Sequence, residues 1–284
     1  MKILASHIHN NNSINNNIGL CNLIKTILSS YRINYELNNC SNISFISNDI
    51  KDIFEQLFLN NEFVNLNYNE NNIIYISDNE IETIFNESNY NNIYKLFGWR
   101  LYNFDKKNIE KFCKDEFFYN ESLINSLDFK YNNIPNNIKN DYLKLINNLS
   151  INMIIINKLP EKYLSVHIRT WYTFNSFEDN RSDNNRYNHF IENKEKFIDN
   201  INQSELKFIF IATDNKNEIK FILDNIKNKE IIFYETNNEL SNIQNDFSEL
   251  LILSKGTSII GSYISTFTEL SWWYSQCNEN IIII

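Results

Sequence analysis

The chain has 284 residues, with 26 basic against 35 acidic side chains, a formal charge of −9, and 43% hydrophobic residues that include 21 Phe and 16 Tyr. That acidity argues against nucleic acid or an anionic membrane as a main partner, since either favours a basic face. The ring content can fill a sizeable core and argues against global disorder. No apolar run reaches the roughly 20 residues of a membrane span. The opening MKILASHIHNNN has a short apolar stretch broken by two His, unlike a signal peptide, so a cytoplasmic protein is expected.

Gly and Pro number only 4 and 2, below the roughly 7% and 5% of average usage. About one residue in five is Asn. Asn tolerates positive φ better than other non-Gly residues, so it is expected at many left-handed turn positions. The joint excess of Asn, Ile, Lys and Tyr reads as the coding bias of an A/T-rich genome. Cys21, Cys40, Cys113 and Cys277 show no CxxC spacing, which argues for unpaired thiols and against a zinc site.

In chain order, residues 2–8 (KILASHI) predict a strand, followed by a polar loop to Asn17. In GLCNLIKTILSSYRI the apolar residues Leu20, Leu23, Ile24, Ile27, Leu28 and Tyr31 recur at helical spacing, an amphipathic helix behind a glycine turn. ISFIS (43–47) and NIIYIS (72–77) predict strands with the helical DIKDIFEQLF between them. From 103 to 157 the pattern turns helical (KKNIEKFCKDEFF, ESLINSLDF, IKNDYLKLINNLSINMIII) until Leu159-Pro160 breaks it. YLSVHIR (163–169) and FIFIATD (208–214) predict strands around a helix at about 188–202. KNEIKFILDNIKN predicts a helix, IIFYE a strand, FSELLILSKG a helix, SIIGSYIS a strand, TFTELSWWYSQC a helix and NIIII a strand. Strand–helix alternation on both sides of residues 150–160 predicts two α/β halves, each with a parallel sheet covered by helices.

Three segments carry polar groups at predicted strand ends, where ligands bind in open α/β sheets. In SVHIRTW, His167 and Arg169 lie two apart and face the same way, with Ile168 turned into the packing. Arg169 suits a phosphate, whose geometry its planar fork matches, or pairs with a nearby carboxylate. In FIFIATDN, Asp214 caps the following helix or accepts hydrogen bonds from a nucleobase or ribose. In GSYISTFTE, Ser265 and Thr266 open the last helix, as a plain N-cap or as an anion site built with backbone N–H groups.

The order of these segments resembles the fucosyltransferase superfamily, which includes α1,2- and α1,6-fucosyltransferases and protein O-fucosyltransferases. Gly19-Leu20-Cys21-Asn22 is similar to that family's GLGN turn, His167-Ile168-Arg169 to its HxR motif, Ala212-Thr213-Asp214 to its later strand end, and Ser265-Thr266-Phe267 to its closing Ser-x-Phe. The resemblance implies a GT-B-like fold, two Rossmann-type domains facing across a cleft: residues 1–157 on the acceptor side and 158–284 binding the nucleotide sugar. It implies inverting transfer of fucose from GDP-fucose to a glycan or other hydroxyl acceptor, with no metal and no cofactor beyond that donor. No DxD stands at a predicted strand end. Arg169 would contact the β-phosphate and stabilise the leaving GDP, and His167 would help shape the same pocket. Asp214 would sit near the guanine or ribose. Ser265, Thr266 and Phe267 would hold the diphosphate and pack on the nucleoside, with Gly19 and Asn22 facing the donor from the other domain. Two departures stand out: Thr170-Trp171-Tyr172 follows the HxR where many members carry a further Arg or a Gly/Asn-Asp pair, and Asn17 and Ile18 replace the first glycines of the turn. Arg181 and Arg186, in what reads as a polar loop, are candidates for the missing cation. Glu178, Asp179, Asp183, His7 and His9 are candidates for the general base. Another nucleotide sugar, nucleotide or glycan binding without turnover, and a structural or interaction role are the competing readings.

Overall fold

The computed structural model describes residues 2–6, 19–38, 44–59, 63–65, 73–77, 93–97, 136–152, 159–172, 183–263 and 265–284. The chain divides into two compact units. The first takes in 1–123, 132–154 and 242–244, and the second 124–131, 155–241 and 245–284.

In the first unit, strands β1 (Lys2–Ala5), β2 (Ser44–Ile46), β3 (Phe63–Asn65), β4 (Ile73–Ser77) and β5 (Ile93–Phe97) form one sheet in the order β3-β2-β1-β5-β4. Every neighbouring pair is parallel. The sequence pattern predicts β1, β2 and β4 but misses β3 and β5, because Asn65 and Lys95 interrupt short apolar runs. Lys95 is tolerated in a buried strand because its Nζ lies 3.5 Å from Asp49 Oδ1, and Asp49 Oδ2 accepts a 2.9 Å hydrogen bond from Ser6 Oγ. The expected helix after β2 is present as a 3₁₀ turn at Asn48–Ile50 running into α2 (Lys51–Leu57).

Helix α1 (Leu20–Asn38) follows Gly19. It is not amphipathic as the spacing predicts: residues Leu23 through Asn34 are buried, among them Lys25, Thr26, Ser29, Ser30, Arg32 and Asn34. Polar side chains survive there because they find partners. Thr26 and Ser30 hydroxyls bond back to the Asn22 and Ile27 carbonyls, and Arg32 reaches Asp141 at 3.2 Å. Asn34 clasps the central strand, accepting from Ile3 N–H (2.9 Å) and donating to the Ile3 carbonyl (2.6 Å). The long helix expected over 138–156 is shorter: α3 spans Asn136–Asn148, and Ile151 instead makes an antiparallel bridge with Phe58. The helical segments expected between 103 and 131 lie outside the described residues.

In the second unit, β6 (Leu164–Ile168), β7 (Phe208–Thr213), β8 (Glu230–Phe233), β9 (Ser258–Gly261) and β10 (Ile281–Ile283) form a sheet ordered β10-β9-β6-β7-β8. All four pairings are parallel. The helices are α4 (Asp183–Gln203), α5 (Lys220–Asn225), α6 (Asn242–Ser254) and α7 (Thr266–Tyr274). Strand alternation sorts the core into two layers. Leu164, Val166, Ile168, Ile209 and Ile211 pack with Phe190, Phe197 and Ile201 of α4 and Ile222 of α5. Phe210 and Ala212 pack on the other side with Ile252 and Leu253 of α6 and with Phe267 of α7. The sheet is therefore covered on both faces, which is why its strands read as nearly continuous apolar runs. The chain winds outward from β6 to β8, then crosses back to lay β9 on the other side of β6. That reversal is the topological switch point of a doubly wound fold.

Four non-Gly residues among those described have φ near +60°: Trp171, Asn228, Gln276 and Cys277. Only one is Asn, so Asn abundance does not explain the left-handed positions. Gln276 and Cys277 end α7 by donating their N–H groups to the Trp273 and Trp272 carbonyls, a turn that supplies the local compensation. No described helix is long and apolar enough to cross a membrane.

Replacing Asn34 by Ala leaves both backbone groups of buried Ile3 without that partner. The expected loss is about 2–3 kcal/mol of unfolding free energy, read by urea denaturation of the two proteins. A loss under about 0.5 kcal/mol would contradict the clasp.

Candidate functional site at the carboxyl end of the second sheet

The residues around β6 and β9 meet where the fold reverses direction. His167, the fourth residue of β6, is 4% exposed, and its Nδ1 lies 2.7 Å from Thr268 Oγ1 in the first turn of α7. Its ring packs on Phe267 with centroids 5.0 Å apart. Burial, reinforced by the Arg169 charge, lowers its pKa to about 3, so the imidazole is neutral. His167 thus fastens the start of α7 to the central strand. Gly261 at the end of β9 permits this approach, since a Cβ there would lie 2.1 Å from Thr268 Cγ2.

Arg169 stands just past the end of β6. Its backbone N–H donates to Ser262 Oγ at 2.8 Å, and Ser262 Oγ donates to the His167 carbonyl at 3.2 Å. Its guanidinium Nη1 is 3.3 Å from Asp214 Oδ2 and lies on the Trp171 ring, 4.9 Å from the centroid. Asp214 does not cap the helix that follows it. Its Oδ1 accepts from Thr170 N–H at 2.8 Å and its Oδ2 from Trp171 N–H at 3.2 Å. The capping of the next turn passes to Asn215, whose Oδ1 accepts from the N–H groups of Asn217 and Glu218. The local reason is register: β6 and β7 pair Ile168 with Thr213, so the residues just beyond each strand end sit side by side.

Ser265 occupies the N-cap position of α7 but makes no side-chain cap hydrogen bond, so the plain-cap reading of its hydroxyl does not hold. Thr266 and Phe267 form the first helical positions and are partly buried. The fold therefore gathers His167, Arg169, Asp214, Ser265, Thr266 and Phe267 at one strand-end region. Gly19 and Asn22 belong to the first unit. Gly19 is exposed, its carbonyl accepts from Leu23 N–H, and no described glycine has positive φ, so the glycine turn expected before α1 is not a left-handed one. Asn22 Oδ1 is buried and has no partner among the described residues. The base candidates His7, His9, Glu178 and Asp179, and Arg181, lie outside the described residues. Asp183 begins α4.

Sequence reasoning missed several residues here. Trp171 holds φ 59°, a strained conformation for an aromatic residue that the Asp214 carboxylate stabilises. The aromatic side chain two residues after a strand-end Arg was the available signal. Ser262 and Thr268 serve the two motif residues through hydroxyl groups that composition does not single out. Arg186 is in α4, not a solvated loop, and its guanidinium sits on the same Trp171 ring at 4.6 Å. Its spacing to Phe190, Asn193 and Phe197 is helical, but the Asn-rich segment before it hides the start of α4. Outside this cluster, Glu249 in α6 is a half-buried carboxyl; burial first, and then Asp246, raises its pKa to about 7, while Lys216 opposes the rise.

Chemically, a fixed guanidinium and a helix start at a switch point can receive an anionic ligand. Among the described residues no group of three or more His, Cys, Asp or Glu could hold a metal ion.

The second unit is thus a doubly wound α/β fold whose polar cluster lies at the carboxyl edge of its sheet. Among solved structures, the chain is similar to NodZ alpha-1,6-fucosyltransferase soaked with GDP-fucose, at 9% identity over 96% of this chain and 92% of that one, with a TM-score of 0.48. NodZ from Bradyrhizobium in selenomethionine form matches at 10% identity over 95% and 91%, with a TM-score of 0.48. POFUT1 in complex with GDP-fucose matches at 13% identity over 68% of this chain and 53% of that one, with a TM-score of 0.31, so the chain spans about half the length of POFUT1. No family model matches the chain, and no curated protein matches it in sequence.

The raised pKa of Glu249 has a definite sign. A carboxyl that prefers its neutral form in the folded state contributes stability below about pH 4.5, and loses it as pH rises toward 7. Glu249→Gln keeps the neutral shape, so its stability relative to wild type should grow by about 2 kcal/mol between pH 5 and pH 8. Urea titrations at the two pH values measure it, and a difference independent of pH would contradict the assignment.

Proposed function

We propose that the chain is a glycosyltransferase whose residues 158–284 bind the nucleotide sugar and whose residues 1–157 serve the acceptor. The single observation that carries the reading is Arg169, held at the switch point by Asp214 and, through its backbone N–H, by Ser262. In transfer from a nucleoside diphosphate sugar, the bond between the anomeric carbon and the β-phosphate oxygen breaks and negative charge gathers on the leaving diphosphate. A cation preorganised where that charge develops lowers the barrier. Arg169 fills that role with a planar fork matched to phosphate oxygens. The N–H groups and hydroxyls at Ser265 and Thr266 supply neutral donors to the same diphosphate. Phe267 packs against the nucleoside, and Asp214 acts through Arg169 as well as facing the ribose or guanine. His167, neutral and buried, is a positioning residue: it holds α7 rather than touching the ligand.

The motif resemblance carries the finer reading. The donor is GDP-fucose, the acceptor hydroxyl attacks the anomeric carbon from the face opposite the leaving GDP, and configuration inverts. No divalent metal takes part, since the charge is met by Arg169 and helix donors.

The test is a melting-temperature panel with GDP, GDP-fucose, GDP-mannose, UDP and UDP-sugars, with and without EDTA, followed by an assay for GDP release with glycan acceptors. GDP and GDP-fucose at 100 times their dissociation constants should stabilise the wild type by about 2.7 kcal/mol, regardless of EDTA, and Arg169→Ala should lose most of that gain. Stabilisation by UDP alone would replace the donor. GDP binding with no GDP release from GDP-fucose would make the chain a binding module, and no shift with any nucleotide would remove the donor site.

A further inference from the structure

Arg169 and Arg186 bring two guanidinium groups within 5 Å of the centroid of one indole, that of Trp171, at 4.9 and 4.6 Å. Arginine on an aromatic face is favourable by about 0.5–1 kcal/mol when exposed, but two like charges gathered at one small region repel. The backbone that presents the ring is held at φ 59° by the carboxylate that also pairs with Arg169. A strained residue, a fixed carboxylate and two convergent cations together make a built arrangement that a bound anion would complete.

A second observation points the same way. Arg169, Trp171, Arg186, His189, Ser262 and Tyr263 line one recess at the end of β6. His189, one turn after Arg186, stacks on Tyr263 with centroids 4.6 Å apart. Its Nδ1 lies 3.3 Å from Asn193 Nδ2, and the same amide group donates to the His189 carbonyl at 2.7 Å. With Asn193 donating, Nδ1 is the acceptor of a neutral ring, and Nε2 carries the proton. That Nε2 is buried and has no hydrogen-bond partner among the described residues. A buried donor left open costs free energy unless a ligand satisfies it.

We propose that Arg186 and Arg169, both seated on Trp171, form a two-armed cradle for a diphosphate, with His189 Nε2–H as a neutral donor to the same ligand. The inference rests on the nucleoside-diphosphate reading of this site and deepens it: Arg169 comes from the end of β6 and Arg186 from α4, two elements that converge on one ring. Arg169 and Arg186 then divide the charge, so that one arm is tied to Asp214 and the other comes from the helix. The ligand class so recognised is a diphosphate rather than a monophosphate.

Isothermal titration of wild type, Arg186→Gln and Arg186→Lys with GDP, GMP and inorganic pyrophosphate tests it, alongside melting curves of the unliganded proteins. Arg186→Gln keeps most of the side chain on the ring and removes the charge. It should weaken GDP and pyrophosphate tenfold to a hundredfold and GMP by less than about threefold, and Arg186→Lys should recover part of the loss. Pyrophosphate binding that depends on Arg186, without GDP binding, would keep the cradle and remove the guanine donor. Unchanged GDP affinity in Arg186→Gln, with wild type binding GDP, would overturn the cradle and leave the donor site standing. Equal weakening of GDP and GMP would overturn it too, as would a fall in unliganded stability shared by both variants. Wild type binding neither GDP nor pyrophosphate would overturn both readings.

Discussion

The carboxylate of Asp214 is the constraint on which the candidate site depends. It is 9% exposed on its side chain and meets three donors: the N–H groups of Thr170 and Trp171 and the guanidinium of Arg169. Those contacts fix the turn that leaves β6, hold Trp171 in a backbone conformation it would otherwise avoid, and aim Arg169 without any contact from a ligand. A buried carboxylate is tolerated only when such partners compensate its desolvation. Asp214 is therefore a structural member of the site first, and its reach toward a nucleoside is a proposal built on that position.

Around this clasp the sheet supplies the stage. The order β10-β9-β6-β7-β8 places the reversal of winding between β6 and β9, and the side chains that meet there come from different parts of the chain. His167 on β6 reaches Thr268 on α7, Ser262 bridges the end of β9 to the backbone of Arg169, and α4 brings Arg186 to Trp171. Close approach depends on Gly261, whose missing Cβ makes room for Thr268. The neutral, buried His167 needs no titration to do its work, which is to keep the first turn of α7 against the strand.

Much of the second unit was legible in the sequence because its strands are buried on both faces and read as uninterrupted apolar runs, FIFIA in β7 above all. The motif residues were legible for the same reason: a polar group at the abrupt end of such a run is conspicuous. What the pattern could not give was partnership. Asp214 looks like a helix cap until the register of β6 against β7 sets it beside Thr170. Arg186 reads as loop because the Asn-rich segment before it hides the start of α4, whose apolar phase becomes clear only at Phe190. In the first unit, β3 and β5 were hidden by Asn65 and Lys95, and the polar residues of α1 gave the impression of a solvated face. Lys25, Ser29 and Arg32 are buried instead, since hydrogen-bonding and charged partners, not polarity, decide what a helix can bury.

Amide hydrogen–deuterium exchange of the wild-type chain with and without saturating GDP tests the central claim most directly, because it maps a ligand onto the backbone without any substitution. The account predicts added protection in peptides covering Ser165–Tyr172 and Gly261–Leu270, with the rest of the second sheet little changed. GDP-dependent protection confined to the first unit, or none in those two segments at ligand concentrations that saturate the protein, would contradict it.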